Sequence, residues 1–329
     1  MKSDSPLVAA YNVTKHFPVR GGLLLREVDT VKAVNGVTLE IREGETFGLV
    51  GESGCGKTTL GNILLGLERP TSGQVLFNGL DIYKTPKAER KRLRQAIQIV
   101  FQDPYESLNP RMTVGEIVSE GLRIQGGHKK PEIRRRVQEI LALVGLDAKS
   151  YHRYPHEFSG GQRQRIGIAR ALVVQPRFII CDEPVSALDV SVQAQIINLL
   201  SDLQKQYQLT FLFIAHGLAV VRYLSDRIGV MYLGKLVEVA PAQELFDAPL
   251  HPYTRSLLAA IPDIESNTMY EAPLSGDVPS PIRLPTGCTF HPRCDCHMEI
   301  CARKEPEEYW TEGHMVRCHL YPHTVETPS

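Results

Sequence analysis

Short apolar runs alternate with amphipathic stretches through the first 262 residues of this 329-residue chain. The runs TFGLV (46 to 50), IQIVF (97 to 101), RFIIC (177 to 181) and LTFLFIA (209 to 215) have the length of buried strands. Between them, PEIRRRVQEILALVGL sets Ile133, Val137, Ile140, Leu141 and Val144 at helical spacing, with Pro131 in the first turn and Gly145 as the stop. A further helix is expected from about Val192, with Ile196, Leu199, Leu200 and Leu203 on one face. Strands alternating with helices predict a parallel α/β sheet. Beyond Pro262 proline becomes frequent and apolar runs shrink, so the tail is expected to be a loop-rich appendage and not a continuation of the sheet. The length suits one large and one small domain, with the boundary expected between 1–262 and 263–329.

Composition adds exclusions. With 43% hydrophobic and 22% charged residues the chain reads as an ordinary soluble globular protein. No apolar stretch approaches eighteen residues, and the opening MKSDSPLVAAYNVTKHF lacks the apolar core of a secretory signal, so the expectation is a chain kept in the cytosol. Thirty-seven basic residues balance thirty-seven acidic ones, which leaves no global field for nucleic acid or an anionic membrane. The basic runs KAERKRLR (87 to 94) and IRRR (133 to 136) read as solvated helix faces. Residues 261–329 carry eleven acidic and five basic residues, a net of −6 that opposes nucleic-acid binding.

Three motifs carry chemistry. GESGCGKT, residues 51 to 58, follows an apolar strand and opens a helix whose Leu60, Ile63, Leu64 and Leu67 are expected on one face. Gly51, Gly54 and Gly56 let the backbone of the loop, with Ser53, Cys55 and Thr59, curl its N–H groups around phosphate oxygens. Lys57 then reaches β- and γ-phosphates as a point charge, and the Thr58 hydroxyl is suited to coordinate Mg²⁺. FIICDE, residues 178 to 183, ends an apolar strand in two carboxylates, which suits Asp182 to Mg²⁺ and Glu183 to polarising the attacking water. FSGGQRQR, residues 158 to 165, joins an N-capping serine and two glycines to a helix with Ile166, Ala169, Arg170 and Leu172 in step, a second anion-binding helix start.

In this combination the sequence resembles the ATP-binding cassette (ABC) family over about residues 8 to 260. The resemblance implies a P-loop NTPase fold: a RecA-like core, a helical signature subdomain at about 103–170, an antiparallel β part, and here a small cysteine-bearing C-terminal domain. It implies that Ser159, Gly160, Gly161 and Gln162 contact the γ-phosphate held by an opposite subunit, with Phe158 in place of the usual Leu. Gln102 matches the glutamine that joins the metal site to a transmembrane partner, and Asp189 the loop along the dimer interface. His216 matches the switch histidine, followed by Gly217 where the family usually has Asp, and Phe17 the aromatic that stacks on adenine.

The segments VFQDPYESLNPRMTVGEIVSEGL, HPYTRSLLAAIP and PSPIRLPTGCTFHPRC are similar to the dipeptide and oligopeptide importer ATPases, much of which nickel and glutathione importers share. That likeness implies two transmembrane permeases, a second identical or paralogous ATPase, an extracellular peptide-binding protein, and a place on the cytoplasmic face of the membrane. An ABC ATPase of nucleic-acid maintenance is the reading from another class. GCTFHPRCDCHMEIC, residues 287 to 301, holds four of the seven cysteines, with Cys318 nearby. Thiolates with His291, His297, His314 and His319 are acceptable zinc ligands, although paired C-x-x-C knuckles are missing. Cys288, Cys294, Cys301 and Cys318 are spaced for four-thiolate ligation that does not by itself choose iron over zinc, and the likeness implies a [4Fe-4S] cluster there.

Overall fold

The computed structural model describes residues 5–21, 26–260 and 276–321, so the expected domain boundary at Pro262 lies outside the described residues. The described residues fold into two compact units: one holds those of Ser5–Ile41, Glu45–Asp81 and the stretch after Phe213, the other Arg42–Gly44 and Ile82–Phe213. The first unit opens with β1 (Val8–Gly21) and β2 (Arg26–Ile41), an antiparallel pair in the register Val8↔Ile41. Next come β3 (Thr46–Val50), the run TFGLV, and α1 (Lys57–Leu65). β4 (Ser72–Phe77) and β5 (Leu80–Asp81) then complete a four-stranded antiparallel sheet in the order β2-β1-β4-β5. All five residues of β3 are buried, and α1 buries Leu60, Ile63 and Leu64. Leu67, expected on that face, is 67% exposed, because Gly66 turns left-handed (φ 79) and ends the helix before it.

The second unit carries α2 (Lys87–Ala96), β6 (Ile97–Val100), α3 (Pro104–Ser107), α4 (Val114–Gln125), α5 (Lys130–Leu143), α6 (Gly160–Leu172), β7 (Phe178–Asp182), α7 (Val190–Tyr207) and most of β8 (Thr210–Ala215). β6 and β7 pair in parallel from Ile97↔Phe178 to Val100↔Cys181, as the alternating pattern predicts, and β8 flanks β7. The helices α4, α5 and α6 bury Val114, Ile117 and Leu122, Ile133, Val137 and Leu141, and Ile166, Ala169 and Leu172. A capping box fixes the start of α4, where Thr113 Oγ1 accepts from Glu116 N and Glu116 Oε2 accepts from Thr113 N.

Back in the first unit the chain forms α8 (Leu218–Leu224), β9 (Arg227–Tyr232), β10 (Lys235–Pro241), α9 (Ala242–Asp247), α10 (Pro252–Ala259), β11 (Tyr309–Thr311) and β12 (His314–Val316). β3 runs parallel to β9, and β9, β10, β12 and β11 follow one another antiparallel. The tail therefore does continue a sheet, contrary to its proline-rich texture. The register Glu238↔Val316 and Val239↔Met315 buries Met315 and Val316 against β10, and strands three residues long are too short to show a period.

Candidate functional site

The phosphate loop lies in the first unit between β3 and α1. Gly56, the N-cap of α1, has φ 107, and a Cβ there would stand 2.0 Å from Ala33 O; at Gly51 it would stand 2.1 Å from Met231 O. No other residue type fits either position. Gly56 offers no side-chain cap, so the first turn of α1 keeps its electropositive character for an anion. Ser53, Gly54 and Thr58 form the exposed rim, with Thr59 half-buried behind them. Lys57 is 4% exposed and its Nζ donates to Gly51 O (2.7 Å) and Glu52 O (3.0 Å). Cys55 is buried, its carbonyl accepts from Gly234 N (2.9 Å), and burial pushes its thiol up, which keeps it protonated.

Two further residues of the same unit grip the loop at Glu52. The Glu52 amide donates to Tyr253 Oη (2.9 Å), and the Glu52 carboxylate receives both guanidinium nitrogens of Arg293 at 2.7 and 3.1 Å. Phe17 is half-buried on β1 with the Lys15 ammonium 4.8 Å from its ring centre. His216 is exposed just after β8, and Gly217 is the N-cap of α8 without a side-chain bond, the cap that an Asp there would supply.

In the second unit Asp182 ends β7 and Glu183 follows it, 8% and 5% exposed. Glu183 is left-handed at φ 48, a strained setting for a residue with a Cβ, and its carbonyl accepts from Ser186 N (3.2 Å) and Ser186 Oγ (3.1 Å). Ser159 caps α6 by a capping box: its Oγ accepts from Gln162 N (3.4 Å) and Gln162 Oε1 accepts from Ser159 N (3.1 Å). Gly161 packs so closely on α7 that a Cβ would lie 2.3 Å from Val192 Cγ1. Asp189 caps α7, and the Val192 amide hydrogen bond at 2.9 Å holds its carboxyl below the usual range.

Gln102 is exposed in the loop between β6 and α3, and α6 fixes the residues on both sides of it. Gln164 Nε2 donates to Phe101 O (3.3 Å), Arg170 Nη1 donates to Ser107 O (2.6 Å), and Arg163 stacks 3.8 Å from the Tyr105 ring centre. The signature helix and the glutamine loop thus form one connected piece.

All seven cysteines are free thiols. Cys288 N donates to Cys301 O (2.8 Å). Burial pushes the Cys294 thiol up to about 12, with Cys296, Cys318 and Cys288 adding, and the Cys318 thiol up to about 11, with Cys288, Cys301 and Cys296 adding. The expected four are therefore neighbours whose thiolate charges would oppose one another. Among the described residues, no group of three or more His, Cys, Asp or Glu side chains could hold a metal ion, so neither the expected [4Fe-4S] site nor its zinc alternative is shown there. His314 Nε2 instead donates to Glu238 Oε1 at 2.7 Å, and His319 Nε2 donates to Lys304 O at 2.8 Å.

Tyr253 and Arg293 were not among the residues expected from sequence to serve the loop. Both sit in segments that resemblance alone singled out, and 241 positions separate Glu52 from Arg293, so no local spacing announces the pair.

Comparison with known proteins completes the picture. Residues 34–186 match the family pattern described as "ABC transporter", and residues 237–301 match "Oligopeptide/dipeptide transporter, C-terminal region". The oligopeptide transport ATP-binding protein AppF of Bacillus subtilis is 51% identical over 94% of this chain and 96% of its own length. The di/tripeptide transport ATP-binding protein DppF of Pseudomonas aeruginosa is 45% identical over 95% of this chain and 97% of its own. Among solved structures, the dimeric ATP-binding cassette MJ0796 in a post-hydrolysis state with ADP and Pi aligns with a TM-score of 0.63 and 32% identity, over 71% of this chain and 98% of that one.

Proposed function

The chain belongs to the ABC transporter family of ATP-binding proteins, and on that premise we propose that it hydrolyses ATP to energise uptake of di- and oligopeptides through separate transmembrane permeases. The observation that carries the peptide assignment is the match of residues 237–301 to the oligopeptide/dipeptide transporter C-terminal region, joined to a cassette core in one chain. No helix among the described residues is long and apolar enough to cross a membrane, which fits a subunit that works with membrane partners.

In this reading the first turn of α1 and Lys57 hold the phosphates, and Phe17 stacks on adenine. Thr58, Asp182 and Gln102 would hold Mg²⁺, and the ion would neutralise charge on the phosphate oxygens. Glu183 accepts a proton from water as the water oxygen bonds the γ-phosphorus and the bond to the β–γ bridging oxygen breaks. His216 orients that water. Ser159, Gly160, Gly161, Gln162 and Asp189 serve the nucleotide of a second, identical or paralogous subunit. An extracellular peptide-binding protein and a seat on the cytoplasmic face of the membrane belong to the same proposal.

Glu183→Gln tests the chemistry: ATP binding is retained while turnover falls roughly 10²- to 10⁴-fold, the range for a lost general base. Unchanged turnover overturns the assignment. Peptide uptake is tested in cells that require a supplied dipeptide for an amino acid, where loss of the gene abolishes growth on the peptide but not on the free amino acid.

Cys288, Cys294, Cys301 and Cys318 are assigned to a [4Fe-4S] cluster within the same proposal. The Cys294 thiol feels Cys288 and Cys318, and the Cys318 thiol feels Cys288 and Cys301, so the four groups lie within electrostatic reach of one another, as thiolate ligands of one cluster would. The cluster would supply folding energy to the tail. Anaerobically purified protein should be brown and contain iron and sulfide, both lost with Cys294→Ser and Cys301→Ser; a colourless protein with stoichiometric zinc overturns it.

A further inference from the structure

We propose that Arg293, reaching from the cysteine-rich tail, is a positioning residue for nucleotide: it neutralises Glu52 inside the phosphate loop and so permits tight ATP binding. The inference rests on the reading of residues 51–58 as an ATP phosphate loop.

A phosphate loop gathers several negative charges, and a carboxylate built into it opposes that by like-charge repulsion. Glu52 is such a carboxylate, second in the loop and five positions before Lys57. The Lys57 ammonium bonds the Gly51 and Glu52 carbonyls and Cys55 Sγ and not the Glu52 carboxylate. The offset comes from Arg293, whose guanidinium meets both Glu52 oxygens in a fork at 2.7 and 3.1 Å. Exposed ion pairs contribute little, but this arginine side chain is 5% exposed and its partner 24%.

The arginine is anchored by packed neighbours. Its amide donates to Phe290 O (3.0 Å), and Phe290 is buried in an aromatic group with Tyr232 and Tyr253, ring centres 5.3 Å away in each case. Tyr253 is the residue whose hydroxyl accepts from the Glu52 amide, so the backbone and the carboxylate of Glu52 are fixed from one packed cluster. The charge on the loop is thus set by a residue 241 positions away in the tail. This gives the tail a direct part in nucleotide binding, apart from any group its cysteines hold.

The test compares the full-length wild type with Arg293→Gln, Glu52→Gln, the double variant and Arg293→Lys, by fluorescent-ATP titration and steady-state ATPase. Arg293→Gln should raise Kd and KM for ATP about tenfold, within the usual span of site-to-site coupling, with kcat changed less than about threefold. The defect should shrink as salt rises, since salt screens the repulsion. Glu52→Gln should bind ATP as tightly as wild type or more so, and the double variant should return to within about threefold of wild type. Arg293→Lys, which keeps the charge without the fork, should lose less than Arg293→Gln. Wild-type affinity in Arg293→Gln, or a double variant as weak as the single one, overturns the proposal. If Arg293→Gln fails to fold, a tenfold loss of affinity in Glu52→Gln alone overturns it. A wild-type chain that does not bind ATP defeats the phosphate-loop reading instead.

Discussion

Glu238 on β10 and His314 on β12 meet at 2.7 Å, with the carboxylate wholly buried and the imidazole ring nearly so. The same carboxylate accepts from Leu250 N (2.6 Å) and His251 N (3.0 Å), so one side chain ties the tail strand to the chain leading into α10. Replacing His314 by Ala removes one of three donors and leaves part of a buried charge unsatisfied. The expected cost is about 2 kcal/mol in denaturant unfolding, and β12 amides should lose protection in hydrogen exchange. Stability and protection equal to wild type would show that the pair is incidental.

Gly161→Ala addresses the signature. The added Cβ would sit 2.3 Å from Val192 Cγ1, so α6 and α7 must separate or Val192 must rotate. Overpacking of this kind costs about 1–3 kcal/mol, and here it displaces the exposed face of Ser159 and Gln162. ATPase activity should fall more than stability does, and Gly161→Ala combined with Val192→Ala should recover part of both. Full activity in the single variant would mean that the close approach is not needed.

The phosphate loop and the capped signature were legible because each is a run of adjacent residues whose function depends on its own backbone: Gly56 needs its left-handed φ and Ser159 its cap, both set within a few positions. The parallel pair β6 and β7 was legible from continuous apolar runs. IQIVF lost its last residue to the loop, since the Phe101 carbonyl accepts from Gln164 and not from a strand neighbour. Leu67 misled because helical spacing ignores the left-handed Gly66 before it. Glu238–His314 and Arg293–Glu52 were invisible because each depends on partners tens to hundreds of positions apart, which no period records, and β12 adds to that a length too short to show a period.

His251 predicts how stability varies with pH. Its ring is buried, which lowers its pKa from 6.5 to about 4; Glu238 opposes the shift and Arg255 adds to it. The unprotonated Nδ1 accepts from Tyr253 N (3.0 Å) and caps α10, a bond that protonation would break. The unfolded chain takes up a proton near pH 6.5 and the folded one only near 4, so in that window the unfolded state binds more protons. This contribution to stability is present above about pH 6.5 and is lost as pH falls to about 4, up to about 3 kcal/mol in all. His251→Asn keeps an N-cap acceptor without titrating and should flatten that part of the stability-against-pH curve. An unaltered slope would place the titration elsewhere.

Ser159 separates the structural from the chemical use of the signature. Its Oγ accepts from Gln162 N while Gln162 returns the bond to Ser159 N, so Ser159→Ala should cost about 1 kcal/mol of stability. Ser159→Asp is the sharper variant. Aspartate is as good an N-cap as serine and better matched to the helix dipole, so stability should equal or exceed that of wild type. Yet the carboxylate would occupy the exposed helix start where a partner subunit's γ-phosphate is proposed to bind, and two anions cannot share one set of donors. ATP-driven dimerisation and steady-state ATPase should therefore collapse in a protein that unfolds no earlier than wild type. Retained ATPase in Ser159→Asp would reduce this serine to a helix cap and remove the helix start from the hydrolytic site.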